Sequence, residues 1–460
     1  MVLLLALWLQ LFDKNTPERH ADILAHFKYG SIGAEDRAGI PYSIWRVLPK
    51  VFPNYLPQRP GTGYERLGFI YESGQARPIG TSIRDRQVRL IGLNCAICHT
   101  GTVRYEPNGP PKIVLGMPAH QFDFQAYFNF LVKCANDPAF NADVLLAAIR
   151  KDDHNFGFLD AVGYRLVAVQ RTKDGILEQA KRLEFLNHRP PLGPGRVDTF
   201  DPYKSMFGID MSKDTAVGAA DLPSLWNQKP RDGLWLHWDG NNNLVTERNK
   251  SAAIGAGASE ASLDLDGMKR VEDWIWTLPP PAFPPDRIDQ SQAAAGKALY
   301  DKHCADCHAF GGKRTGQVEP LAAIGTDPER VNSFNAELAA KMNTIGQNYP
   351  WKFSHFRKTD GYSNMPLDGV WLRAPYLHNG SVPTLRDLLN KPEDRPKVFY
   401  RGYDVYDWKD LGFVTSGLTA ERVGVKFDTS LKGNSNRGHN YGTNLTGRQK
   451  DQLLEFLKTL

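Results

Sequence analysis

Apolar positions along this chain recur mostly at helical spacing, and sustained alternation of apolar and polar residues is scarce. Ser291-Gln-Ala-Ala-Ala-Gly-Lys-Ala-Leu-Tyr300 reads as a helix running straight into Cys304. At the far end Thr446 is placed to N-cap a helix on which Leu453, Phe456, Leu457 and Leu460 fall at helical spacing. A further helical stretch, read as an insertion, is predicted over residues 141–196. The first ninety residues hold Pro-rich turns such as Arg46-Val-Leu-Pro-Lys-Val-Phe-Pro-Asn-Tyr-Leu-Pro57. The pattern predicts a mainly α protein with long loops.

Two stretches break the pattern. Thr277-Leu-Pro-Pro-Pro-Ala-Phe-Pro-Pro-Asp286 cannot continue a helix and favours an extended crossing. The apolar run Met1–Phe12 is shorter than the roughly 20 residues that span a bilayer. It has no basic residues before it and no small-residue cleavage site. It is read as a start lacking its first residues, as the remnant of an export signal or anchor, or as a buried N-terminal helix.

At 460 residues the chain exceeds what one hydrophobic core usually organises, so at least two domains are expected. A 41% hydrophobic, 23% charged composition and a mean hydropathy of -0.43 exclude a polytopic membrane protein and a disordered one. The net charge of +5, with no block of five like charges, gives a nucleic-acid partner little support. Five cysteines exclude a disulfide scaffold.

Four of those cysteines fall into two copies of one pattern, Cys95-Ala96-Ile97-Cys98-His99 and Cys304-Ala305-Asp306-Cys307-His308. This is the c-type haem attachment signature. Two thiols a turn apart reach the two vinyl groups on one porphyrin edge, and the adjacent imidazole lies under the iron as proximal ligand. A redox Cys-x-x-Cys has no need of the following His, and the halves of a zinc site would lie closer together. Two covalent haem c groups are therefore expected. Attachment of such haems takes place outside the bacterial cytoplasm, so a periplasmic or extracellular location follows, with the N-terminal segment a possible membrane anchor. The expected division is an N-terminal apolar segment and extension (1–30), an N-terminal haem domain with the inserted helical stretch (31–276), a Pro-rich linker (277–287) and a C-terminal cytochrome c domain (288–460).

An internal echo follows the two motifs. Leu222-Pro-Ser-Leu-Trp-Asn leads to Leu236-His-Trp-Asp-Gly240 after the first, and Ala374-Pro-Tyr-Leu-His-Asn-Gly380 follows the second. Each sets an aromatic-containing approach before a tight polar turn. With these segments the chain resembles the bacterial di-haem cytochrome c peroxidase and MauG superfamily, over roughly residues 89–460. The ending, Gly433-Asn-Ser-Asn-Arg-Gly-His-Asn-Tyr-Gly-Thr443, is more similar to the RoxA-type rubber oxygenase branch.

That resemblance implies one haem as the substrate site, a second as electron relay, and a Trp between them. Trp238 matches the Trp, and His237 beside it is a candidate for the distal pocket; a Trp simply packed in an interface is the alternative. The Gln and catalytic Glu that the peroxidases carry downstream correspond to Arg248 and Ala258, so the acid is missing unless Glu247 or Glu260 substitutes. General acid–base help is worth about 10²–10⁴-fold, and its loss weighs more against peroxide cleavage than against dioxygen chemistry or electron transfer. The superfamily often holds calcium, and Asp239-Gly-Asn-Asn-Asn243 spaces oxygen ligands as a calcium loop does; a polar turn is the alternative.

The sixth ligand of each iron decides between catalysis and electron transfer. For the C-terminal haem the candidates are His439, His378 and Met365, which precedes Pro366. The place of the family's Met or Tyr ligand holds Asn390-Lys-Pro392 here. For the N-terminal haem His120 is the candidate, with Met117 close by, and an open site walled by Phe122, Phe124, Phe128 and Phe130 is expected; a plain aromatic core is the alternative. Cys134 reads as a small buried hydrophobe. The expectation is an exported di-haem cytochrome with peroxidase-like or oxygenase-like chemistry at the N-terminal haem. A small redox protein or a membrane oxidoreductase would be its electron partner. The rival is a non-catalytic electron-transfer subunit.

Overall fold

The structure is a computed structural model that describes residues 14–460. The expectation for Met1–Phe12 lies outside the described residues. No helix among the described residues is long and apolar enough to cross a membrane. Packing divides the chain into two units that are each discontinuous in sequence. One takes the residues up to Cys98 with Phe122–His188 and Lys250–Val271; the other takes His99–Gln121, Arg189–Asn249 and Glu272–Leu460. The boundary thus passes through the first haem motif, at the peptide bond between Cys98 and His99.

In the first unit, a four-stranded antiparallel sheet is built on the hairpin of Thr81–Asp85 and Arg89–Leu93, with Thr16–Pro17 and Ile40–Pro41 on its edges. This sheet departs from the mainly α expectation. Its strands are only two to five residues long, too short for alternation to stand out between Pro-rich turns. Beside it Trp45 stacks on Tyr64 at 3.9 Å, with Phe69, Tyr127, Phe122 and Phe130 packed edge-on around them. Phe122 and Phe130 are therefore part of the first unit's aromatic core. Phe124 and Phe128 stack on each other on the half-buried side of the same helix, Phe124–Asn136. Cys134 is fully buried on that helix, and burial pushes its thiol up. The inserted stretch is helical, with Ala142–Asp152, Phe158–Gly163 and Val169–Arg182.

In the second unit, both helices expected from the sequence form. Asp289 caps Gln290–His303, and Thr446 with Gln449 closes a capping box on Gly447–Leu457. The two helices cross at Gly296, where a Cβ would stand 1.9 Å from the Gln452 carbonyl oxygen, so only glycine lets the backbones approach. Trp226, Tyr300, Trp371, Tyr406, Leu453 and Leu457 form the core around this crossing. The Pro-rich stretch 277–287 lies inside this unit: Phe283 is buried against Trp371 and Trp408, and the Pro281 carbonyl accepts the Trp371 indole N–H at 2.9 Å.

Candidate functional site

Each motif is built on a single helical turn, Cys95–Cys98 in the first and Ala305–His308 with Cys304 as N-cap in the second, which sets its two thiols about a turn apart. None of the five cysteines is paired in a disulfide. Burial pushes Cys95 up to about 11 and Cys98 and Cys304 up to about 12, and it raises Cys307. That is the reverse of the low pKa a redox pair or a thiolate metal ligand needs. Among the described residues no group of three or more His, Cys, Asp or Glu side chains could hold a metal ion. These thiols lack the lowered pKa of a reactive redox pair.

The imidazoles agree. His99 Nδ1–H donates to the Pro223 carbonyl at 2.7 Å, and His308 Nδ1–H donates to the Met365 carbonyl at 2.7 Å. Each bond fixes the tautomer in which Nε2 keeps its lone pair for a metal. Burial, then the Arg248 charge, pushes His99 down to about 3; burial also lowers His308. Both rings are held neutral, the form that ligates.

The two histidines differ in what faces them. The His439 ring lies 6.1 Å from the His308 ring, centre to centre. Two metal–nitrogen bonds of about 2 Å plus two ring radii of about 1.1 Å give about 6 Å, the span of one iron held between two imidazoles. Burial, then His308 and Arg395, pushes His439 down to about 3, and its Nδ1 is buried without a hydrogen-bond partner from another residue. Among the described residues no aromatic ring stands in that relation to His99. His237 is the nearest analogue in chemistry. Its Nε2 is buried and unpartnered, its φ is 61°, and burial followed by the Arg248 and Arg330 charges lowers its pKa. His237 and His99 thus share the field of Arg248.

Of the remaining candidates, His378 and His120 have their Nε2 atoms engaged elsewhere. His378 is stacked on Tyr362 at 3.9 Å with Nε2 2.9 Å from its hydroxyl. Because that hydroxyl donates its one proton to the Asp327 carbonyl, His378 Nε2–H must donate to it, which removes the lone pair. His120 Nε2–H donates to the Thr102 carbonyl at 2.9 Å and the ring stacks on Phe413. Burial pushes it down to about 4. Met365 meets His308 through its carbonyl, on the ring edge away from Nε2. Asp239 is paired with Arg330 at 3.2 Å, both buried, so the 239–243 turn spends its carboxylate on a guanidinium. Glu247 accepts from Asn242 Nδ2, the Ser354 and His355 backbone N–H groups and His355 Nδ1. Glu260 lies in the first unit.

The sequence echo is also a structural one. Leu236 bridges Asn242 and Tyr376 bridges Val382 in antiparallel pairs. Positive φ falls at matching places, His237 (61°) with Leu377 (66°) and Gly240 with Gly380 (both 63°). Trp238 and His378 therefore occupy equivalent positions, and Asp221 joins them. Its carbonyl accepts the Trp238 indole N–H at 2.8 Å, and its N–H donates to the His378 carbonyl at 2.8 Å. The Asp221 carboxylate is in turn held by buried Arg401 at 2.6 Å. Sequence reasoning missed Pro223, Tyr362 and Arg395, and the carbonyl role of Met365. A proline at or just after both carbonyls that hold the imidazoles was the one available signal.

A helical turn presenting two thiols, and an imidazole steered by a main-chain carbonyl, are features of a c-type haem attachment site. Comparison with known families agrees: the model described as cytochrome c matches residues 293–368, and the one described as RoxA-like, cytochrome c-like matches residues 361–400. A cytochrome c domain carries covalently bound haem c and suggests electron transfer. Two relatives come from Sinorhizobium fredii (strain NBRC 101917 / NGR234). The uncharacterized protein y4iM is 30% identical over 284 residues, covering 52% of this chain and 64% of its own length. The uncharacterized protein y4iJ is 25% identical over 500 aligned positions, covering 86% of this chain and 81% of its own.

Proposed function

We propose that this chain is an exported di-haem c-type cytochrome of the peroxidase, MauG and RoxA kind. One haem would sit on Cys304, Cys307 and His308 with His439 opposite, the other on Cys95, Cys98 and His99. The bound haems would supply one-electron transfer where both axial positions are held by protein, and peroxide or dioxygen chemistry where one is open. The observation that carries this reading is the 6.1 Å pairing of His308 with His439, which has no counterpart at His99 among the described residues.

The chain's own residues divide the work. Pro223 and Met365 orient the proximal imidazoles, and His237 with Arg248 gives the His99 side a buried imidazole beside a cation, suited to a small anionic or polarisable ligand. Trp238, fixed by Asp221, provides an indole that can hold a transient radical cation. Electrons would be exchanged with a small redox protein or a membrane oxidoreductase. Calcium is not part of this proposal, because the one carboxylate of the 239–243 turn is already paired.

A second reading draws on His237. Were its unpartnered Nε2 the sixth ligand on the His99 side, both irons would be closed and the protein would only transfer electrons. Ferric spectra with and without cyanide separate the two: one haem binding cyanide while the other stays low-spin is expected. Refusal of cyanide by both would leave the electron-transfer reading.

A further inference from the structure

We infer that Arg395 is the positioning residue that fixes His439 opposite His308, an inference that rests on the ligand assignment proposed above. His439 belongs to no helix or strand. It sits at φ 51° directly after Gly438 at φ 74°, two consecutive left-handed residues in an irregular loop. Such a loop presents its side chain reproducibly only where other groups hold its backbone. The His439 N–H donates to the Ile324 carbonyl at 2.8 Å, and Gly438 lies so close to Gly325 that a Cβ would stand 2.3 Å from its carbonyl carbon.

The carbonyl side of the loop is held by one guanidinium. Arg395 is 2% exposed. Its Nη1 donates to the carbonyls of Asn436 at 2.5 Å and Gly438 at 2.8 Å, and its Nη2 donates to His439 itself at 3.2 Å. The other donors reach Leu388 at 3.2 Å and Asn390 at 3.1 Å, at the end of the helix Leu385–Leu388. Five carbonyls thus receive the five N–H donors of the side chain, and no carboxylate competes for them. A lysine, with three donors around one point, cannot reproduce this planar fork. The cation ties the ligand loop to the Leu388 and Asn390 carbonyls, just past the last helical backbone hydrogen bonds.

The test uses the ferric holoprotein and reads the low-spin signal of the C-terminal haem and its cyanide affinity. Supporting partners of a metal ligand change its retention by roughly 10- to 100-fold, and Arg395→Gln is expected to show a change of that size. The bis-imidazole signal should weaken, and the C-terminal haem should start to bind cyanide as it does in His439→Ala. Arg395→Lys should fall between Arg395→Gln and the wild type, and it decides the question if the Gln variant does not fold. Arg386→Gln, which breaks pairs to Asp410 and Asp451 on the same short helix, should leave the spectrum unchanged. If His439→Ala loses the signal while both Arg395 variants keep it, the positioning role is overturned and the ligand stands. If His439→Ala itself changes nothing, the ligand assignment fails and the inference falls with it.

Discussion

His308 and His99 each follow a Cys-x-x-Cys pair, and each donates Nδ1–H to a main-chain carbonyl at 2.7 Å. Only His308 faces a second imidazole, 6.1 Å away between ring centres. The second ring comes from the loop before the last helix, pinned by Ile324 and Arg395. His237, a buried histidine in a turn, shares with His99 only the charge of Arg248. The same five-residue motif thus stands in two different surroundings. In the reading proposed above, the signature would supply one axial ligand and a distant segment would decide whether the other is filled. The matching turns at 236–242 and 376–382 make the same point, since one carries Trp238 where the other carries His378.

Four experiments break or sharpen this contrast. The largest effect should come from removing the thiols. Cys304→Ser with Cys307→Ser, and separately Cys95→Ser with Cys98→Ser, should each lower the denatured intact mass by one haem. A mass unchanged by either pair would remove that site from the protein. Next, His237→Ala should shift cyanide affinity on the His99 side by about tenfold while leaving the bis-imidazole signal in place. A change confined to the C-terminal haem would contradict the placement of His237.

Gly296→Val forces a side chain against the Gln452 carbonyl at the helix crossing. Overpacking of this kind costs about 1–3 kcal/mol, to be read as a lower unfolding midpoint of the holoprotein; an unchanged midpoint would refute the close crossing. The last effect concerns pH. His120 is pushed down to about 4 by burial, against about 6.5 for an unfolded histidine. Between those values the unfolded chain binds the extra proton, so stability falls as pH is lowered through this window, by roughly 3 kcal/mol at most. His120→Gln, which keeps a donor for Thr102, should flatten that slope, and an identical slope would show that other groups set it.

Much of the second unit was legible in the sequence. The helix leading into Cys304 and the capped helix after Thr446 follow from local spacing and capping, which are properties of neighbouring residues. The edge sheet of the first unit was not, because strands of two to five residues carry too little alternation. The Phe residues at 122–130 showed helical spacing but not their destination, and Phe122 and Phe130 went into the Trp45 core. Among the ligand candidates, His439 stood out in the sequence only by resemblance. His378, its rival for the same haem, and His120, the candidate at the N-terminal haem, stayed open until their Nε2 atoms were found bonded to Tyr362 and Thr102.

The amino-acid order alone determined where thioethers can form and which imidazoles lie beneath them, because attachment depends on residues adjacent in the chain. Tertiary structure decided what meets the His308 imidazole, because His439 arrives from a remote loop whose left-handed backbone and buried guanidinium leave no periodic trace. Local order writes the motif, and long-range packing brings the second imidazole to it.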